Sequence, residues 1–416
     1  MYEKFHLTNG VLVALDRFTG VRSASLGIWL NAGSRCERGG EHGAAHFIEH
    51  MLFKGTHSRT SAELAEDMDS LGAEFNAYTS RDCTSYYFRV LDKNLPGAAA
   101  ILGDMFLNSR FDPADMDTER GVILDEIRMY DDMPDDVANE LLVRTCFPGA
   151  LGAPVLGSRE SVMNLSRETL LRFRERQYIP ENIAVTVAGN FSPCQLDSLL
   201  LPLSELHPSA RELPEPAAYT PGISVEHRDT EQNQLLLAFP GITYGSADRC
   251  ALALMNAILG GSASSRLYRR VRDELGLCYD LESFDMTWSD TGLVGIGAAT
   301  SPDNESTALE AIISELRRFL NTGPDEAELS RAKAQAESGA VLALESTIAR
   351  MRRLGQDELF LGGCEDIDAL LERFNAVTCE DVLSLARRVF DFGRLSCVAL
   401  GAVQDEEYYS RLRETR

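Results

Sequence analysis

His46-Phe47-Ile48-Glu49-His50 is the stretch on which the reading of this chain turns. Its two histidines stand four residues apart, with a glutamate directly before the second. On a helix, positions i, i+3 and i+4 share one face. Two imidazoles and a carboxylate therefore point into one small volume, as a catalytic zinc ion requires. The order is the reverse of the commoner H-E-x-x-H arrangement. The competing reading is an amphipathic helix that carries two surface histidines by chance.

A zinc hydrolase needs three protein ligands and one open position for water. His46 and His50 supply two, and a third carboxylate or imidazole has to come from elsewhere. The segment Asp117-Thr118-Glu119-Arg120-Gly121-Val122-Ile123-Leu124-Asp125-Glu126-Ile127 offers Glu119 and Glu126. They are seven residues apart, two helical turns, and so lie on one face. Val122, Ile123 and Ile127 predict a second, buried face for the same helix. Acidic residues are plentiful nearby, and spacing alone leaves surface charge as an equal alternative for both glutamates. Glu49 fits the role of base better than that of ligand. Zinc lowers the pKa of bound water to roughly 7, and a neighbouring carboxylate takes and returns the proton.

Reading outward, 416 residues suggest two or three domains, with ordinary soluble proportions of 25% charged and 44% hydrophobic residues. The formal net charge of -24 argues against nucleic acid and anionic membrane surfaces as partners. It suits cationic peptides, and service to solubility alone is an equal reading. No apolar run approaches the ~20 residues of a membrane span, and Val11–Leu15 is too short for a signal-peptide core. Nine scattered cysteines without a C-x-x-C pair fit reduced thiols in a cytoplasmic protein.

The clearest seam is 207–222, with four prolines and no apolar periodicity, read as a linker between an N-terminal domain (1–206) and a C-terminal domain (223–416). Strands are predicted at Val11–Leu15, Ala24–Leu30, Glu74–Tyr78, Thr84–Val90 and Ile183–Gly189. In the second half they fall at Ile223–Glu226, Gln234–Phe239, Tyr279–Phe284, Gly292–Ala298 and Leu395–Leu400. Helices are predicted around the motif, over about 95–180, at Ala247–Leu259 and Ser265–Leu275, and from about 300 to 390. The matching closing strands, Ala184–Gly189 and Ser396–Gly401, indicate duplication of one α+β domain. Mostly antiparallel sheets with one face covered by helices are expected.

With these residues in view, the chain resembles the pitrilysin/insulinase metallopeptidases, nearest to the mitochondrial processing peptidase type. That family follows H-x-x-E-H with a glutamate some seventy-five residues on, and here 75 residues lie between His50 and Glu126. Gly33-Ser34-Arg35, Met51-Leu52-Phe53-Lys54-Gly55-Thr56, Asn76-Ala77-Tyr78-Thr79-Ser80 and Gly260-Gly261-Ser262-Ala263-Ser264-Ser265-Arg266-Leu267 also look like family signatures, so the likeness runs nearly the whole chain.

The resemblance implies an α+β fold of two related domains. It assigns His46, His50 and Glu126 as zinc ligands, Glu49 as general base, and Glu119 as the acidic residue standing behind the ligands. Asn76 and Ala77 would lie on a sheet edge where substrate adds as a strand. Arg272 and Tyr279 would contact substrate backbone and support the oxyanion, with Cys278 a departure from the small apolar residue usual there. Gly260-Gly261 lacks the spacing of a phosphate loop and would be a flexible loop facing a substrate chamber. The implied activity is zinc-dependent endopeptidase cleavage of extended peptides. The implied chamber has four domains, so this two-domain chain would pair as a homodimer or with a related chain. A non-catalytic scaffold subunit is the alternative, and such subunits usually lack zinc ligands that are all present here.

Overall fold

The computed structural model describes residues 2–413. Its first sheet contains β1 (Tyr2–His6), β2 (Leu12–Arg17), β3 (Ser23–Leu30), β4 (Glu74–Thr79), β5 (Thr84–Leu91) and β6 (Ile183–Gly189), in the spatial order β1-β2-β6-β3-β5-β4. A second sheet contains β7 (Ile223–His227), β8 (Asn233–Pro240), β9 (Cys278–Thr287), β10 (Gly292–Thr300) and β11 (Ser396–Gly401), in the order β7-β11-β8-β10-β9. Without β1 the two orders superimpose strand for strand, which is the duplication expected from the closing strands. Both sheets are antiparallel except for one parallel pair each, β2 with β6 and β7 with β11.

The ten predicted strands all form, within a few residues of the expected bounds. β1 was not predicted. It pairs with β2 from Tyr2↔Asp16 to His6↔Leu12, and Asn9-Gly10 in the intervening turn is the hairpin signal that gives it away.

Two expectations need correction. The sheets are covered on both faces, and the compact units are not the contiguous halves. One unit comprises 1–128, 153–215 and 342–364; the other comprises 129–152, 216–341 and 365–416. Each half thus lends a helix to the sheet of the other. In the first unit, Thr347–Leu361 lies on β2, β3 and β6. There Trp29 donates to Thr186 Oγ1 at 2.8 Å and packs so closely on Gly355 that a Cβ there would fall 2.0 Å from the indole. In the second unit, Pro134–Cys146 lies on β8 and β11, burying Leu142 and Cys146 against Leu236, Val398 and Leu400. A strand whose side chains alternate between two apolar faces needs both covered, and the lent helix supplies the second cover. The segment 207–222 forms neither helix nor strand.

Among the described residues, no helix is long and apolar enough to cross a membrane.

Candidate metal centre

The motif forms as a helix, Ala44–Leu52, with a positive φ of 91° at its N-cap, Gly43. One side of the helix is apolar and fully buried: Phe47, Ile48, Met51 and Leu52 join the main core of the first unit. The opposite side turns His46, Glu49 and His50 toward a second helix, Pro113–Asp131. That helix buries Met116, Glu119 and Ile123, with Ile127 and Leu124 packed partly against the core. Val122, expected to be buried, is 48% exposed. At 3.6 residues per turn the apolar stripe runs through Met116, Ile123 and Ile127, and Val122 falls beside it.

These two helices bring the predicted ligands together. Ligand atoms of His46, His50 and Glu126 all lie within 4.8 Å of one another. Nε2 of His46 is 3.6 Å and Nε2 of His50 is 3.5 Å from Glu126 Oε2. Behind them, His50 Nδ1 stands 3.0 Å from Glu119 Oε2, and Lys54 Nζ is 2.7 Å from Glu119 Oε1. A carboxylate on one ring nitrogen places the proton there and leaves the lone pair on the other. His50 therefore presents Nε2 as a donor to a cation. Burial, then the neighbouring His50 charge, pull His46 down to about 4, so this ring is neutral near pH 7. For His50, burial lowers the pKa, but hydrogen bonds with Glu126 and Glu119 more than offset it and hold it above the ordinary value. Glu126 is held below its ordinary range chiefly by the hydrogen bond with His50. Two imidazole nitrogens and one ionised carboxylate, converging from two helices, fit a zinc ion with a position left for water.

Glu49 lies beside this group. Its Oε2 accepts a hydrogen bond from Thr79 Oγ1 at 2.6 Å, and burial raises its pKa, toward the range useful to a base near neutral pH. Thr79 was quoted only as part of a signature. Alternation places it on the same face of β4 as Phe75 and Ala77, both packed toward the helices, and that pattern is the signal that could have identified it. Lys54 likewise stood only inside a signature stretch, and its role emerges once Glu119 is beside it.

Asn76 and Ala77 lie on β4, which is an edge of the first sheet. Asn76 is exposed, and its Oδ1 accepts the Ala77 N–H at 2.8 Å. Arg272 and Tyr279 belong to the second unit. The guanidinium lies 4.6 Å from the ring centre of Tyr268 and 5.2 Å from that of Tyr279, a residue that is 73% exposed. The helix expected at Ser265–Leu275 is wound as a π-helix over Tyr268–Glu274, a form concentrated at functional sites. Gly260, expected in a flexible loop, is set by close packing: a Cβ there would stand 2.3 Å from Ser283 N.

Two duplicated α+β units, one of which carries a His-His-Glu group with a flanking carboxylate, define a metallohydrolase-type centre. Comparison with known proteins gives the family. The profile described as insulinase (peptidase family M16) matches residues 12–159, and that of the peptidase M16 inactive domain matches 164–336. A Bacillus subtilis protein called the uncharacterized zinc protease YmxG is 35% identical over 397 residues, 94% of this chain and 96% of that one. An uncharacterized zinc protease of Streptomyces coelicolor, SCO5738, is 35% identical over 419 residues, 98% of this chain and 91% of its own. Among solved structures, a protease from Helicobacter pylori superimposes with a TM-score of 0.89 at 21% identity, over 96% of this chain and 99% of that one. A Pseudomonas fluorescens structure described as a peptidase M16 inactive domain gives 0.90 at 20% identity, over 97% and 99%. The chain belongs to the insulinase family, peptidase family M16. Zinc is the ion that its donor set fits.

Proposed function

We propose that this protein is a zinc-dependent endopeptidase that cleaves extended peptides or unfolded segments. The observation that supports this most directly is the convergence of His46, His50 and Glu126 beside a Glu49 carboxylate that is not spent on the ligand set. When bound, zinc supplies an acidified water and polarises the scissile carbonyl. Glu49 takes the proton of the attacking water and returns it to the leaving amine. Glu119 holds the proton on His50 Nδ1, and Lys54 pairs with the other oxygen of Glu119.

The β4 edge is the surface on which an extended substrate would add as a further strand, with Asn76 and Ala77 in contact. A strand's main-chain groups are available only when the substrate segment is unfolded, so folded proteins resist. Arg272 and Tyr279 are donors suited to a developing oxyanion. We assign them to the zinc site of an opposite subunit, in a dimer that encloses the chamber.

Zinc content and hydrolysis of an internally quenched peptide test this reading. Wild type should bind one zinc per chain and cleave. Glu49→Gln should retain the zinc and lose turnover by roughly 10²–10⁴-fold. Wild-type cleavage by Glu49→Gln would refute the catalytic assignment. The trans arrangement is tested by mixing Arg272→Ala with Glu49→Gln chains. Each homodimer should be inactive and the mixture should regain one working site, whereas no recovery after confirmed subunit exchange would refute the trans arrangement.

A further inference from the structure

Two signature stretches, Gly33-Ser34-Arg35 and the end of Asn76-Ala77-Tyr78-Thr79-Ser80, are not accounted for by the ligand set. The structure joins them. Thr79 is the last residue of β4, and the turn after it is pinned from within. Ser80 N–H donates to Cys83 O at 2.8 Å, and the Ser80 hydroxyl accepts the Cys83 N–H at 3.0 Å. The segment 33–35 grips the same turn from outside. Ser34 N–H donates to Ser80 O at 3.0 Å and Arg35 N–H to Arg81 O at 3.1 Å. The buried Arg35 guanidinium donates to Asp82 Oδ1 at 2.8 Å. Only glycine fits at position 33, because a Cβ there would stand 2.1 Å from Ser80 O.

Two residues further on, the buried Glu37 carboxylate accepts Gly43 N–H at 2.9 Å and Ala45 N–H at 2.8 Å, at the start of the motif helix. Backbone N–H groups at a helix start are unpaired donors, and a carboxylate satisfies them. Five consecutive residues, Gly33–Glu37, are thereby bonded both to the end of β4 and to the helix that carries Glu49. The distance from Thr79 to Glu49 is fixed by this brace rather than by the two side chains alone.

We propose that Thr79 is a positioning residue for Glu49, held in register by the Gly33–Glu37 brace. A glutamate side chain has three torsions to fix, and a base displaced by even about 1 Å loses a large part of its effect. The Thr79 hydroxyl occupies Oε2, and the described residues place no hydrogen bond on Oε1. The Thr79 bond therefore decides which oxygen faces the reacting water. The inference rests on Glu49 being the base.

The test uses zinc-loaded, full-length wild type, Glu49→Gln, Thr79→Val and Thr79→Ser with a quenched peptide. Cleavage by wild type and silence of Glu49→Gln establish the base independently of Thr79. Valine matches threonine in shape and lacks the donor. Thr79→Val should lower kcat on the order of 10- to 100-fold, with zinc per chain unchanged and KM within about twofold of wild type. Thr79→Ser, which restores the donor, should return kcat to within about threefold of wild type. Fluorescence anisotropy should show the same peptide affinity for Glu49→Gln and Thr79→Val/Glu49→Gln. The proposal is overturned by wild-type kcat in Thr79→Val, by a loss carried in KM, peptide affinity or zinc content, or by a serine variant as slow as the valine variant. Should Thr79→Val fail to fold, Thr79→Ala and Thr79→Ala/Glu49→Gln, which also lack the donor, are compared with the serine variant on the same criteria.

Discussion

Both units tie the helix that follows their second core strand to the edge strand of their sheet, and they do so in different ways. In the first unit the tie is Thr79 to Glu49, a single bond to one carboxylate oxygen at 2.6 Å. In the second unit the corresponding helix is Arg249–Leu259 and the edge strand is β9. There Asn256 accepts from Ser283 Oγ at 2.7 Å and donates to Asp285 Oδ1 at 2.9 Å. Both ends of the amide are used, so that tie is closed. The helix with the closed tie carries Leu252, Leu254 and Met255 in its interior and no histidine. The duplicated fold thus supplies a helix-to-edge link in each unit. One copy completes the link as structure, and the other leaves half of it open beside the three groups that could hold a metal.

The largest effect that would break this comparison is on the ligand set. Glu126→Gln should abolish turnover and leave zinc sub-stoichiometric after dialysis, because a neutral amide replaces the charged donor. A chelator on wild type should do the same, and added zinc should restore it. Retention of full zinc by Glu126→Gln would mean that another carboxylate completes the set. Next in size is Glu119→Gln. It touches no metal, but it releases the His50 Nδ1 proton from its carboxylate and leaves Lys54 unpaired. Zinc affinity measured by chelator competition should fall roughly 10- to 100-fold, with the fold retained. An unchanged affinity would remove Glu119 from the site.

How much of this was legible in the sequence depends on the range over which each feature is encoded. The His-His spacing is local helical geometry, so those two donors were visible before the structure. The Glu119–Glu126 spacing put both carboxylates on one face but left them equally as surface charge, and only the family resemblance singled them out. All strands but β1 were visible from local geometry too, since alternation is local. Val122 was misplaced by one position on a helix whose stripe is narrow. The lent helices were out of reach. Periodicity in Thr347–Leu361 shows an apolar face through Met351 and Leu354, but it does not say which sheet that face covers. The complement to it is distant in sequence: Gly355 against Trp29, and Thr186 Oγ1 donating to Met351 O at 3.2 Å. The Gly33–Glu37 brace was hidden likewise, because its partners at 43–45 and 80–82 are set by tertiary packing.

The smallest effect, and the sharpest test of the comparison itself, lies in the closed tie. Asn256 is 8% exposed, and burial already pushes the Asp285 carboxyl up against the opposing pull of the Asn256 hydrogen bond. Asn256→Ala removes one acceptor and one donor together. It leaves the buried Ser283 Oγ without its acceptor and the Asp285 carboxyl without that donor; the orphaned hydroxyl alone costs about 1–3 kcal/mol. The loss should appear as a lower denaturation midpoint in urea, with zinc per chain and kcat of the surviving folded enzyme at wild-type values. Thr79→Val should behave in the opposite way, slowing turnover while scarcely moving the midpoint. If Asn256→Ala instead slowed turnover without a stability loss, the second link would be part of the catalytic apparatus too. The division between a structural and a chemical copy of the same tie would then fail.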